Sequence, residues 1–600
     1  MNKQSGNKYH HGPTNYDKYP FVRVTDDNNT CLVGWKSIGL RLVEALSEIR
    51  GPLRILTVET YQGVLHEDVV DHFTRVIKPD LIIDSRDILL PENQIKNITE
   101  RFLTDDPVFG FMTDLKMSDL IDNEKCRVFQ EKISLLKQGT VLVFGPGASV
   151  VQSGDVLVYA DMARWEIQRR MRLNLVDNLG VRNREERIQV LYKRGYFVDW
   201  RICDQLKKEL YPKWDFVLDT NAPAEPKLVA SEIVRQGLEI AASEPFRVVP
   251  FFDPGPWGGQ WMKEICDLDR EAINFAWCFD CVPEENSLVL GIGEHRFELP
   301  SINLVFFKPK ELLGEHVLRE FGAEFPIRFD FLDTMDGGNL SLQVHPLKNY
   351  IKDKFGMSYT QDESYYILDA REGAHVFLGL KDDVHPDQMI AELKSAQNGG
   401  PAFQVENHVA KWSVKKHDHV LIPSGTVHCS GKDSMVLEIS ATPYIFTFKL
   451  WDWGRLGLDG KPRPIHIDHG KEAIQWDRTE SWTQSQLVNP VEQIAQGDGW
   501  REERTGLHEL EYIETRRHWF TKTVLHNTDG NLNVLNLIEG REAIIESPSN
   551  AFTPYVVHYA ETFIIPAAIG EYSITPHGAS KGSECGTIKA YVRTSTELKK

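Results

Sequence analysis

Gln343, Val344 and His345 stand in the run LSLQVHP, where apolar and polar residues alternate. Such alternation predicts a half-buried strand, and residues two apart on a strand point to one face. Gln343 and His345 therefore reach into one cavity together. An amide oxygen and a neutral imidazole both suit a borderline divalent metal. Glu363 opens the strand-like run ESYYILDA and offers a carboxylate. His428 follows IPSGTV, where a Pro-Ser-Gly turn feeds the histidine toward a barrel mouth. Two histidines, one glutamate and one glutamine, completed by a water or substrate oxygen, make a donor set for one Zn2+ per chain acting as a Lewis acid.

Taken in order, LSLQVHP, ESYYILDA, IPSGTVHCSGKDSMVLEIS and LWDWGR with the following KPRPIHID resemble type I mannose-6-phosphate isomerases. Trp257-Gly258-Gly259 resembles that family's opening motif. The resemblance runs from Trp257 to Asp468 and continues more faintly into the C-terminal region. It implies a cupin-type β-barrel and a zinc-dependent aldose–ketose isomerase that interconverts mannose 6-phosphate and fructose 6-phosphate. A small-molecule sugar phosphate is then the partner. The resemblance assigns Gln343, His345, Glu363 and His428 to the metal, Arg455 to catalysis and Ser341 to the neighbourhood of the substrate phosphate. Moving a proton between C1 and C2 needs a proton carrier and a stabiliser of the developing oxyanion. Arg455, always charged, fits the second role. Glu438 in LEIS, His466 and a water at the metal are the candidates for the first.

The substrate side departs from the family pattern. A lysine usual on the strand before QVH is replaced in FPIRFDFLDT by Asp330, with Arg328 two residues earlier on the same strand face. A second lysine, two residues before the metal-binding glutamate, is replaced in TQDE by Gln361. Arg328 and Gln361 are the side chains expected at the substrate there. A second expectation therefore stands beside the isomerase: a non-catalytic or altered-specificity sugar(-phosphate)-binding cupin.

The elements that must position these residues divide the chain. The fold class expected is multidomain, an N-terminal α/β parallel sheet followed by an all-β double cupin. Residues 1–30 read as a flexible arm and 31–245 as α/β, with strands at Leu53–Val58, Leu81–Ile83, Thr140–Phe144 and Asp155–Tyr159. Helices are expected at Arg164–Asn174 and Ala230–Ala242. Residues 246–470 read as the metal-binding cupin, 471–505 as a helical linker and 506–595 as a second, structural barrel in which His518 and His558 are isolated.

After the strand ending at Val58 comes ETYQGVLHEDVVDH, with one glycine, Gly63, and no lysine. A phosphate cradle needs successive free backbone N–H groups and that lysine. Glu59, Glu67 and Asp68 repel phosphate instead. DSRD at 84–87, VLVFGPGA at 141–148 and LVYADMARWEIQRRMR at 157–172 nevertheless resemble uridine-kinase-like nucleoside kinases. The resemblance implies a degenerate P-loop kinase-like domain without ATP binding. Arg169, Arg170 and Arg172 read as a solvated basic helix face.

A formal net charge of −19 without a long basic run argues against nucleic-acid and anionic-membrane partners. No apolar stretch reaches the roughly 18 residues of a membrane span, and the polar first thirty residues lack a signal core. Eight scattered cysteines fit reduced thiols in a cytoplasm, and the lone Cys278-Phe-Asp-Cys281 reads as structural.

Overall fold

A computed structural model describes residues 14–441, 446–506 and 508–593. The chain forms two compact units. One comprises Phe21–Ile240 with Glu284–Phe307; the other comprises the segment ending at Pro20, Ala241–Pro283 and the chain from Lys308 onward.

The first unit is α/β. Strand Leu53–Thr60 pairs in parallel with Gly139–Gly145 on one side and Val156–Asp161 on the other. Leu81–Asp84 and Phe216–Asp219 extend the parallel sheet outward. Lys227–Ala230 and Cys31–Val33 close one edge in antiparallel fashion. Leu56, Val58, Leu142, Val143 and Val158 are fully buried, as expected of apolar strands in a parallel sheet. The expected strands are all present, and helices occupy Arg164–Arg172 and Ser231–Ala241.

Several expectations are corrected. The arm expected over 1–30 is, from Thr14 onward, built into the fold. Tyr16 is buried and donates its hydroxyl to Asp280 Oδ1 at 2.6 Å, and Val22–Thr25 is a strand. That strand pairs in parallel with Ser287–Ile292, which forms a hairpin with His295–Pro300. The hairpin lies in the β-rich part of the sequence yet completes the α/β unit, because strand pairing is not bound to neighbours in sequence. Arg170 is buried rather than solvated. It donates to Glu166 and to the carbonyls of Gly63 and Thr220, so the loop after the first parallel strand is pinned by a guanidinium. The linker expected over 471–505 is helical only in part. Glu492–Gly497 and Trp500–Arg504 form a hairpin that joins the second β module.

The second unit holds two β modules. In the first, a six-stranded sheet contains Asp362–Ala370, Ser434–Ala441 and Arg328–Asp333 as neighbours. A five-stranded sheet contains Leu342–Val344 between His428–Ser430 and Phe448–Trp451. The second module pairs a six-stranded with a four-stranded sheet around Phe520, Leu535, Leu537, Phe563 and Ile574. Its His518 is not isolated: the ring lies 4.5 Å from that of His526, and Nε2 lies 3.4 Å from Glu502. Cys278 and Cys281 are buried free thiols. Among the described residues no helix is long and apolar enough to cross a membrane.

Glu59 ends the central parallel strand. Its carboxylate accepts the backbone N–H groups of Gly147 and Ser149 at 2.6 and 2.8 Å, and the Ser149 hydroxyl at 2.7 Å. An anion site of backbone amides is thus filled by the protein's own side chain. Burial pushes the Glu59 carboxyl up to about 7, against those hydrogen bonds. The folded state then holds a proton that the unfolded chain releases, so stability falls as pH rises from the usual glutamate range to about 7. Relative to Glu59→Gln, wild-type stability should fall by up to about 3 kcal/mol over that window. Denaturant unfolding of both proteins at pH 5 and pH 8 checks it, and a difference independent of pH contradicts it.

Candidate metal centre

The strand Leu342–Val344 explains itself by its two faces. Leu342 and Val344 are fully buried on one side. Phe448, the register partner of Val344, is ring-packed at 5.0 Å on His469 and 6.0 Å from Tyr350. Gln343 and His345 point the other way. Gln343 pairs in register with His428 on one neighbouring strand and with Lys449 on the other. Cross-strand partners share a face, so Lys449, Gln343 and His428 form a row facing inward.

Glu363 arrives from the six-stranded sheet. His345, Glu363 and His428 are each fully buried, and their ligand atoms lie within 4.8 Å of one another. Glu363 Oε2 is 3.0 Å from His345 Nε2, and Oε1 is 2.9 Å from His428 Nε2. Each histidine has its other nitrogen on a backbone carbonyl. His345 Nδ1 is 3.0 Å from Phe446 O, and His428 Nδ1 is 2.8 Å from Thr426 O. Such contacts fix the tautomer with Nε2 free as a ligand. The Gln343 side-chain amide lies 3.2 Å from His428 Nε2. His345 Nε2 and Glu363 Oε1 are buried without a hydrogen bond, as donors aimed at a cation are. The set fits a divalent metal, and two imidazoles, a carboxylate and an amide oxygen suit zinc.

The turn before His428 is held tightly. Ser424 donates its N–H to Asp362 Oδ1 at 2.8 Å, and Gly425 donates to His345 O at 2.9 Å. Gly425 has φ +90°, and a Cβ there would meet Gln475 at 2.7 Å and Ala473 O at 3.0 Å. Glycine is required at that corner.

The carboxyl groups of the centre sense one another. Burial opposes ionisation of Glu363, but His345 and His428 hold it well below the usual glutamate range. Burial also opposes charge on His345, and Glu363 overrides it and raises its pKa. Glu438 is buried on the same sheet, paired with Asp330 on one side and Tyr365 on the other. Burial, Glu363 and Asp330 together raise its carboxyl well above the usual range.

The expected substrate residues take distinct positions. Gln361 donates to Glu363 Oε2 at 2.9 Å, so it supports a metal ligand. Arg328 lies 3.1 Å from Asp330 Oδ2, and the two charges offset one another. Ser341 donates to Asp452 Oδ1 at 3.0 Å. Asp452 also accepts Arg455 Nε at 3.0 Å and Arg463 Nε at 2.6 Å. The sequence reading did not single out Asp452, Arg463 or Lys449. Burial, with Arg463 and Arg455 alongside and Asp452 opposing, pushes the Lys449 ammonium down to about 7. His466 lies beside Phe448, 6.4 Å between rings, and Phe448 faces away from Gln343. It is not brought to the centre.

In the α/β unit a cavity of about 1240 Å³ opens around Gly63, His66, Asp84, Arg86, Asp177 and Arg184. Two of its three arginines are tied down, Arg86 to Asp84 and Glu67, and Arg184 to Asp177. Burial, with Arg86 alongside, pushes His66 down to about 4, so it adds no positive charge at neutral pH.

Fold and site together define a protein with a buried histidine–carboxylate cluster able to hold a metal ion in the first of two β modules, in a chain that also carries a parallel α/β unit. Residues 34–243 match a family model described as a domain of unknown function, DUF8485. Over 238 residues, 39% of this chain and 69% of the relative, the chain is 26% identical to the mannose-6-phosphate isomerase ManA of Bacillus subtilis (strain 168). Over 220 residues it is 27% identical to the mannose-6-phosphate isomerase of Streptococcus mutans, covering 36% of this chain and 64% of the relative. A solved mannose 6-phosphate isomerase from Bacillus subtilis aligns with TM-score 0.48 and 18% identity over 58% of this chain and all of that one. Part of the chain is thus related in sequence to mannose-6-phosphate isomerases.

Elemental analysis of the purified protein should find about one divalent transition metal per chain. His345→Ala and His428→Ala should abolish it, and Gln361→Ala should weaken metal affinity by roughly 10- to 100-fold in a chelator titration. Full metal occupancy in folded His345→Ala would contradict the assignment.

Proposed function

We propose that the centre is the active site of a zinc-dependent aldose–ketose isomerase acting on a sugar phosphate, with mannose 6-phosphate and fructose 6-phosphate as its substrate pair. The observation that carries this reading is the convergence of His345, Glu363 and His428 from two sheets, beside Gln343, in a segment related to such isomerases. A bound zinc ion supplies Lewis acidity toward the sugar oxygens and, through its charge, draws the Glu438 carboxyl toward its ionised form.

The remaining chemistry belongs to side chains. Glu438 lies one strand row from Glu363 on the same face. There its carboxyl is the group placed to take the proton from one sugar carbon and return it to the next. Arg455, held by Asp452, presents a permanent charge to the oxyanion that develops between C1 and C2. Glu438 is itself buried, which limits exchange of its proton with bulk water.

Asp330 and Gln361 favour a second reading, in which the module binds a sugar or sugar phosphate without turnover. Neither residue supplies the positive charge usual at its place. For the α/β unit we infer a nucleoside-kinase-like fold that does not bind ATP, since Gly63 is the lone glycine of its first loop and Glu59 takes up the backbone amides of Gly147 and Ser149.

A coupled assay with mannose 6-phosphate separates the readings. Wild type should turn over, Glu438→Gln and Arg455→Ala should each lose roughly 100-fold or more in kcat, and His345→Ala should be inactive. No turnover by fully metallated wild type above the His345→Ala control would leave the binding-module reading.

A further inference from the structure

Two histidines inside the second β module take no part in the centre described above. His518 stands on strand Ile513–Phe520 of its six-stranded sheet, and His526 on Val524–Asn527 of its four-stranded sheet. Both face the interior. His518 is two residues before Phe520 and His526 two residues after Val524, and Phe520 and Val524 belong to the apolar core. Strand alternation thus brings the two rings together from opposite sheets, 4.5 Å between centroids and 71° between planes. The rings of His345 and His428 in the first module are 4.9 Å apart. His526 is also stacked on its register partner Tyr572, 5.0 Å between ring centroids.

Each ring keeps one nitrogen without a partner. His518 is 3% exposed and His526 7%, and His518 Nδ1 and His526 Nε2 are buried without a hydrogen bond. Such a nitrogen costs free energy unless something binds it, and His345 Nε2 in the first centre is in the same condition. His518 Nε2 lies 3.4 Å from Glu502 Oε1, and Glu502 is its register partner. A carboxylate there holds the ring proton on Nε2 and leaves the Nδ1 lone pair free, the arrangement found behind a ligating imidazole. Thr587, the register partner on the other side of His518, is fully buried with its hydroxyl unpaired. Cross-strand partners share a face, so that hydroxyl is on the inward side too. Burial, with Lys589 adding to it, holds both rings below the usual histidine range, against Glu502 at His518. Both are therefore neutral at pH 7, the form that ligates.

We propose that His518 Nδ1 and His526 Nε2 are the protein ligands of a second metal site, which takes a divalent transition metal and ties together the two sheets of the second β module. The Thr587 hydroxyl stands beside them, and the remaining positions fall to water. Imidazole donors select zinc, copper or nickel over calcium and magnesium. Among the described residues, His345, Glu363 and His428 are the one group of three such side chains close enough to share an ion. The second site has two, and Lys589 repels a dication there. It is therefore the weaker site, filled from added metal and empty after purification. Nothing in it depends on the isomerase reading of the first module.

The test is equilibrium dialysis of the full chain against Zn2+, with the metal content as purified for a baseline. Wild type, His518→Gln, His526→Gln and Lys589→Met are compared, each with its melting temperature measured first. Bound zinc should rise by about one per chain in wild type and not rise in either folded histidine variant. Lys589→Met should take up that zinc roughly 3- to 10-fold more tightly, because a like charge beside it is gone. No added zinc in wild type overturns the site. So does added zinc retained in a folded histidine variant, or bound no more tightly by Lys589→Met. If both histidine variants fail to fold, Lys589→Met carries the test. Phosphate held by wild type and lost in Lys589→Met, with no added zinc, marks an anion site and likewise overturns the proposal.

Discussion

The Glu363 carboxylate, fully buried between His345 and His428, is the interaction on which the rest of the first β module depends. A lone carboxylate there would be too costly to keep ionised. Protonated His345 and His428 hold it ionised, and a bound cation would take over that role when the imidazoles serve as neutral ligands. That attraction ties the six-stranded sheet to the five-stranded one at one point. Around it, backbone carbonyls set the tautomers, Gln361 fixes one oxygen, and the Ser424–Gly425 turn fixes the approach of His428. The same buried charge also raises the pKa of Glu438. The charge of Glu363 and the protonation of Glu438 are therefore parts of one electrostatic system.

The α/β unit shows the opposite use of a buried carboxylate. Glu59 spends its lone pairs on the amides at 147 and 149, and Arg86 and Arg184 in the cavity of this unit are paired with acids. A parallel sheet places its ligand crevice at the carboxyl ends of its strands. Here the amides of Gly147 and Ser149 at that end are occupied by the Glu59 carboxylate.

Local pattern made part of this legible. The alternation in LSLQVHP puts Gln343 and His345 on one face without any knowledge of neighbours, and the central apolar runs of the α/β unit are strands buried on both faces, whereas the edge run at 81–83 leaves Ile82 exposed. Glu363 and His428 were readable from the runs that carry them, but not their 2.9 Å contact, which depends on two sheets closing. Lys449, Asp452 and Arg463 stayed hidden for the same reason: their meaning comes from cross-strand register, and WDWGR reads alone as a turn. Arg170 misled because its helix is rich in charge; the i,i+4 pair with Glu166 lies on the buried side. Glu59 reads in sequence as a charge that repels phosphate; the fold adds that it accepts the amides of Gly147 and Ser149, which depends on the neighbouring strand's turn. The strand Val22–Thr25, and the place of the hairpin Ser287–Pro300 in the α/β unit, escaped because the two segments pair across a long stretch of sequence.

Proton exchange at carbon is the direct measure of the central claim, that the His345–Glu363–His428 centre moves a proton between C1 and C2 of a sugar phosphate. Fructose 6-phosphate is incubated in D2O with the metallated protein and followed by proton NMR. The account predicts growth of mannose 6-phosphate signals together with loss of the exchanged C–H intensity, both abolished in Glu363→Gln. Neither signal with fully metallated wild type, or equal exchange in Glu363→Gln, would contradict it.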